Sequence, residues 1–129
     1  YEIKKNNKIN SNTFDEIEQF ISIYKPSELF IINNIDNNIN KKIINLLGCN
    51  NNTKINLVDN TNIIKNCESQ IYIKEILNKY FQVETLNDFD IYQIATQSFC
   101  FILNYIITCN PQLINNINLP NFENIGNKL

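Results

Sequence analysis

Histidine is absent from this 129-residue chain, glycine occurs twice, and charged residues make up only 19%. Without histidine the commonest neutral metal ligand and general base is missing, so neither a Ser/His/Asp nor a Cys/His constellation can be assembled. Two glycines cannot build a phosphate-cradling loop, and no G-x-x-x-x-G-K-[ST] motif occurs. The net charge is −2, and lysines such as Lys4, Lys41, Lys54 and Lys79 are scattered rather than striped. That leaves no electrostatic footprint for a phosphate backbone, so this segment is not expected to grip nucleic acid. A secretory signal peptide is also missing, and the chain opens with Tyr1 rather than Met, which suggests a fragment.

The paired C-x-x-C spacing of a zinc site is missing too. Cys49, Cys67, Cys100 and Cys109 lie far apart in sequence. Cys100 and Cys109 would point to opposite faces of one helix and cannot pair locally. Free thiols in a reducing, intracellular compartment are the expectation, and secretion is not.

What replaces charge is asparagine. About one residue in five is Asn and about as many are Ile, a bias that discounts runs such as "NNIDNNIN", and the Asn51 sequon, as signals. Against that background, alternating strand and helix signals remain legible. "YEIK" reads as the end of a strand. "NTFDEIEQFISIYKP" reads as a helix, with Thr13 and Glu16 as a capping box, Pro26 after the stop, and Phe14, Ile17, Phe20, Ile21 and Tyr24 inward. "ELFII" suits a strand covered on both faces. "DNNINKKIINLLG" predicts a helix capped by Asp36 and stopped at Gly48, with Ile39, Ile43, Leu46 and Leu47 on one face. "KINLVD" alternates as a strand, and "SQIYIKEILNKYF" gives a third amphipathic helix with Tyr72, Ile73, Ile76, Leu77 and Tyr80 inward. Such alternation implies an α/β fold with a mostly parallel sheet.

Residues 86–90 read as a linker, with Asp90 capping a longer helix from about Ile91 to Cys109. Residues 94–120 carry no charged side chain. Gln93, Thr96, Gln97, Asn104 and Thr108 nevertheless fall in one narrow stripe, with Ile91, Ala95, Ser98, Phe99, Ile102, Tyr105 and Ile106 opposite. Recurrent polar groups on a fixed face argue for a bundle helix rather than a membrane span.

One catalytic constellation is conceivable. Glu2, Asp36 and Asp59 lie in or just after the three expected strands, where open α/β sheets collect their sites and where three acids could hold two divalent metals. Capping and turn chemistry accounts for each acid equally well. The many aromatics, from Tyr24 to Phe122, sit at core spacing without basic neighbours, which favours packing over base stacking.

Two stretches carry a resemblance. "TFDEIEQFISIYKPSELFII" resembles the connector domain of MutS-type DNA mismatch-repair proteins, where a helix leads through "P-x-E-(apolar)" into a buried strand. "IATQSFCFILNYIITCNPQLINNINLPNFENIGNKL" resembles the segment entering the MutS core, or lever, domain. The nearest likeness is to the divergent MutS-like proteins of large DNA viruses and some organellar genomes. Together the stretches span nearly the whole chain in the family's order, although they are mostly apolar patterns.

The resemblance implies a partial RNase H-like connector, a mixed sheet with flanking helices, over residues 1–85. After the 86–90 linker, 91–129 would begin the helical lever domain. In that fold "YEIK" would be the third strand, and "ELFII" would pair with a first strand lying upstream of Tyr1. The isolated chain is therefore expected to be poorly stable or to pair its strands in a non-family order.

The mismatch-probing Phe-x-Glu and the ATP-binding loop belong to other domains of the family. "NFEN" at 121–124 has neither the spacing nor the place of the former. Hence no catalytic, cofactor-binding or metal residue is assigned in this segment. ATP and Mg²⁺, mismatched double-stranded DNA, a MutL-type partner and homodimerisation are expected of the full-length protein. The connector itself relays conformational change and offers a docking surface. The alternative is a metal-dependent RNase H-like nuclease using Glu2, Asp36 and Asp59.

Overall fold

The computed structural model describes residues 14–32, 37–49, 52–58, 62–85 and 87–122. "YEIK", Thr13, and the acids Glu2, Asp36 and Asp59 lie outside them. The chain gathers into two compact units, Ile3–Thr61 and Asn62–Leu129. The fold is mixed α/β, mostly helical, with one small parallel sheet among the described residues.

The first unit holds helix α1 (Asp15–Tyr24), strand β1 (Glu28–Ile32), helix α2 (Asn37–Leu47) and strand β2 (Lys54–Val58). Asp15, Glu16 and Glu18 fill the first turn of α1, where carboxylates oppose the positive end of the helix dipole. Phe14 holds the cap position with no side-chain hydrogen bond. Lys25 closes the helix in the left-handed region (φ 46°), its N–H bonding Ile21 O, and Pro26 prevents continuation. Gly48 ends α2 at φ 64°, a conformation that L side chains avoid. A Cβ there would also come within 3.1 Å of Glu18 Oε1, so the glycine serves both the stop and the close approach of α1.

β1 and β2 pair in parallel from Glu28↔Lys54 to Ile32↔Val58, as the α/β alternation predicts. Their starts are tied by Lys54 N–H to Ser27 O (2.9 Å) and Thr53 Oγ1 to Pro26 O (2.8 Å). Inward burial is thinner than the sequence suggests. Ile21 and Leu47 are buried, but Phe20 and Tyr24 are exposed and meet at a tilt of 39°, ring centroids 4.5 Å apart. β1 is half-buried rather than covered on both faces. The α1 periodicity fits an inward face, but the strip that α2 covers is narrow and centred on Ile21.

The second unit is helical: α3 (Asn62–Cys67), α4 (Gln70–Phe81), α5 (Asn87–Ile91), α6 (Gln93–Cys109) and a 3₁₀ segment, Pro111–Asn116. α4 begins where Ser69 Oγ accepts the Tyr72 N–H. It ends with Gln82 in the left-handed region and the Val83 N–H reaching back to Leu77 O. Ile73, Ile76 and Leu77 are buried on α4, and α6 contributes Thr96, Cys100, Phe101 and Leu103. Leu77, Leu103 and Cys100 have no exposed surface, and α6 packs on α3, α4, α5 and the 3₁₀ segment. Each fully buried leucine is worth about 1.5–3 kcal/mol of burial.

Residues 87–91, within and just after the expected linker, are helical, and Phe89 is buried, packed edge-on against Phe122 at 4.9 Å. Asp90 lies inside α5, exposed, and does not cap the long helix; Tyr92 breaks α5 from α6. The stretch between β2 and α4, where the sequence carries no periodic signal, contains α3. Among the described residues no helix is long and apolar enough to cross a membrane.

Candidate functional site

The carboxylates of the nuclease alternative, Glu2, Asp36 and Asp59, all fall outside the described residues. Among the described residues, no group of three or more His, Cys, Asp or Glu side chains could hold a metal ion. At the strand starts, Glu28 Oε1 accepts from Asn56 Nδ2 at 2.7 Å and lies 3.8 Å from Lys54 Nζ. This cluster fixes strand register; an ion pair this exposed adds little.

The most concentrated chemistry lies where α3, α4 and α6 meet. Asn104 on α6 accepts from the Tyr72 hydroxyl of α4 at 2.5 Å. Its amide Nδ2 donates to Cys100 O (3.1 Å) and reaches Cys67 Sγ on α3 (3.7 Å). One amide thus links all three helices. The stripe seen in the sequence therefore faces partly inward, with Thr96 buried and Gln97 and Asn104 half-buried. Its polar atoms are satisfied locally. Thr96 Oγ1 donates to Phe89 O (3.0 Å) and Tyr92 O (2.7 Å), and Thr108 Oγ1 to Asn104 O (2.9 Å). Bonding to preceding carbonyls lets a polar stripe enter a core without orphaned groups. Meanwhile Ser98 and Tyr105, on the opposite face of α6, are exposed.

The cluster is held in its neutral form. Burial pushes the Cys67 thiol up, the Asn104 N–H partly opposing it and the Glu68 charge adding to it. Burial pushes the Cys100 thiol up to about 12, and Cys67 adds to the rise. Tyr72 is raised for the same reason, again with partial relief from Asn104. Neither thiol is an activated nucleophile in this closed arrangement, since activation needs a lowered pKa. All four cysteines are free: Cys67 and Cys100 buried, Cys49 half-buried, Cys109 exposed.

A shallow recess bordered by Gln70, Asp90, Gln93 and Gln97, with Ile73, Phe89 and Thr96 beneath, admits about one water molecule. Small-molecule sites are far larger. The aromatics divide: Phe89 and Phe101 are buried and Phe81 meets Phe99 at 5.8 Å, whereas Phe20, Tyr24, Tyr105 and Phe122 are exposed. Cys67 was the residue hardest to find from sequence, because α3 is short and sits in an Asn-rich stretch whose only signal is "NIIKNC". No protein-family model, no curated protein and no solved structure matches this chain.

Proposed function

We propose that this chain is a non-catalytic piece of a MutS-like DNA mismatch-repair protein: part of the connector, running into the start of the lever domain. The observation that carries the reading is element order. A helix, a β1–α2–β2 unit with parallel strands and then helices follow one another, among them the long, charge-free α6. That order accords with the resemblance of "TFDEIEQFISIYKPSELFII" and "IATQSFCFILNYIITCNPQLINNINLP" to the corresponding family segments. The RNase H-like character of the connector belongs to the same proposal. The described residues provide the parallel pair and its helices, and the family's remaining strands are inferred.

In this reading the segment relays conformational change and offers a partner-docking surface. Mismatched DNA, ATP with Mg²⁺, a MutL-type partner and the homodimer contacts belong to other parts of an intracellular protein. The lack of a basic stripe fits a segment that does not itself grip DNA. The test is the flanking reading frame together with its product. The frame should encode Phe-x-Glu upstream and G-x-x-x-x-G-K-[ST] several hundred residues downstream. The full-length product should bind a mismatched duplex more tightly than a matched one and hydrolyse ATP. A complete frame without either motif would defeat the proposal.

A further inference from the structure

Cys67 is the last residue of α3, and Cys100 lies near the middle of α6; both are buried. Asn104 Nδ2 bonds the Cys100 carbonyl one turn back on the same helix (3.1 Å) and lies 3.7 Å from Cys67 Sγ, so Cys67 faces the turn of α6 that begins at Cys100. The Cys67 thiol and the α6 turn that carries Cys100 are therefore adjacent across the α3–α6 contact, although 33 positions (100 minus 67) separate the two cysteines in sequence. The helix that carries Cys67 is the weakest of the three that meet there. Six residues cannot hold a helix by their own hydrogen bonds, and α3 ends directly in the Glu68–Ser69 turn. Local opening of α3 would expose Cys67 without unfolding α4 or α6.

We propose that Cys67 and Cys100 form a redox-responsive dithiol, oxidised by a peroxide that gains access when α3 opens, and that the resulting disulfide ties α3 to α6. The Cys67 thiolate attacks one peroxide oxygen, the O–O bond breaks, and the departing hydroxide takes a proton to leave as water. Cys67 is then a sulfenic acid. The Cys100 sulfur, giving up its proton, attacks the Cys67 sulfur; the S–O bond breaks and a second water leaves. Two thiols lose two electrons and two protons, and hydrogen peroxide becomes two waters. The order of events follows from the surroundings. Opening of α3 carries Cys67 into solvent and relieves the burial that raises it, whereas Cys100 stays sealed within the α6 face and acts second. A disulfide of this kind in an otherwise reducing compartment would be transient and sensing rather than structural.

The test treats the full chain with hydrogen peroxide in native buffer, blocks remaining thiols under denaturing conditions, and maps peptides without reduction. The expected product is a monomer lighter by two hydrogens whose cross-linked peptide joins Cys67 to Cys100. The same peptide should persist in a Cys49→Ser/Cys109→Ser double variant and be lost in Cys67→Ser. Oxidation should also slow amide exchange in α3. Three results would overturn the proposal: cross-links to Cys49 or Cys109 in equal yield, oxidation of Cys109 while Cys67 and Cys100 stay reduced, or a Cys67–Cys100 bond that forms only in denaturant. Unchanged exchange in α3 after cross-linking would overturn the tie between the helices. Because the wild-type chain itself gives the decisive map, the outcome does not depend on any variant folding.

Discussion

Among the described residues, the apolar interior of Ile3–Thr61 comes down to Ile21 and Leu47. Asn62–Leu129 instead buries Ile64, Ile73, Ile76, Leu77, Phe89, Phe101 and Leu103, with Cys67 and Cys100 between them. The first unit leaves Ile23 at 73% and Tyr24 at 67% exposure on α1, and Leu57 half in water on β2. The second has exposed apolar side chains too, but they lie outside a packed centre with zero exposure at Leu77 and Leu103. The comparison teaches that secondary structure and burial need not rise together. The parallel strand pair is held by backbone hydrogen bonds and register contacts, while the helical unit is held by packed side chains.

The strongest way to break the comparison is to remove a leucine from each unit. Leu77→Ala or Leu103→Ala should lower unfolding stability by about 2–5 kcal/mol in urea titrations, because each leaves a cavity in a fully buried site. Leu57→Ala, half-exposed, should cost only about 0.5 kcal/mol. Equal costs at the two sites would mean that packing is shared evenly after all.

Next in size is the amide that joins the three helices. Asn104→Ala leaves the Tyr72 hydroxyl without its acceptor and Cys67 without its donor, an expected loss of about 1–3 kcal/mol. Tyr72→Phe, which removes only one of those bonds, should cost less, about 1 kcal/mol. If both variants melt like the parent chain, the cluster contributes nothing to holding α3, α4 and α6 together.

A smaller effect should appear at alkaline pH and sharpen the same contrast. The Cys100 thiol is raised by burial from an ordinary 9.0 to about 12, so the folded state keeps it neutral while the unfolded chain ionises it. The unfolded state then binds fewer protons, and stability falls with rising pH. The contribution is fully present below pH 9.0 and is lost as pH rises toward about 12, with Cys67 and Tyr72, both raised, acting in the same direction. Cys100→Ala should flatten the alkaline limb of a melting-versus-pH curve, and a limb unchanged by that substitution would show that Cys100 is not its source.

Much of the fold is legible in the sequence because local chemistry and tertiary packing agree. Pro26 follows the stop of α1, Gly48 stops α2, and the apolar runs "ELFII" and "KINLV" become paired strands. Failures occur where they part. α3 is too short for a periodic signal, and its Asn62 and Asn66 look like the surrounding filler. α5 carries a buried Phe89 that a five-residue window cannot distinguish from a turn. Asp90 looks like a cap for α6, but the chain breaks at Tyr92 instead. The polar stripe of α6 was visible as a stripe, but not as an inward one. Its burial depends on Tyr72 and Cys67, which only the assembled helices bring to Asn104. The Tyr72–Asn104–Cys67 cluster was for that reason invisible from sequence, whereas the nuclease acids that sequence suggested lie outside the described residues.

Among the described residues, α4 and α6, packed through Leu77, Leu103 and Asn104, form the most stable part. Native-state hydrogen exchange, followed residue by residue on the full chain, tests it most directly. The slowest amides should lie in α4 and in the middle of α6, with those of β1, β2 and α1 exchanging through openings of lower free energy. Protection in the β1–β2 pair equal to or greater than that of α6 would contradict the claim.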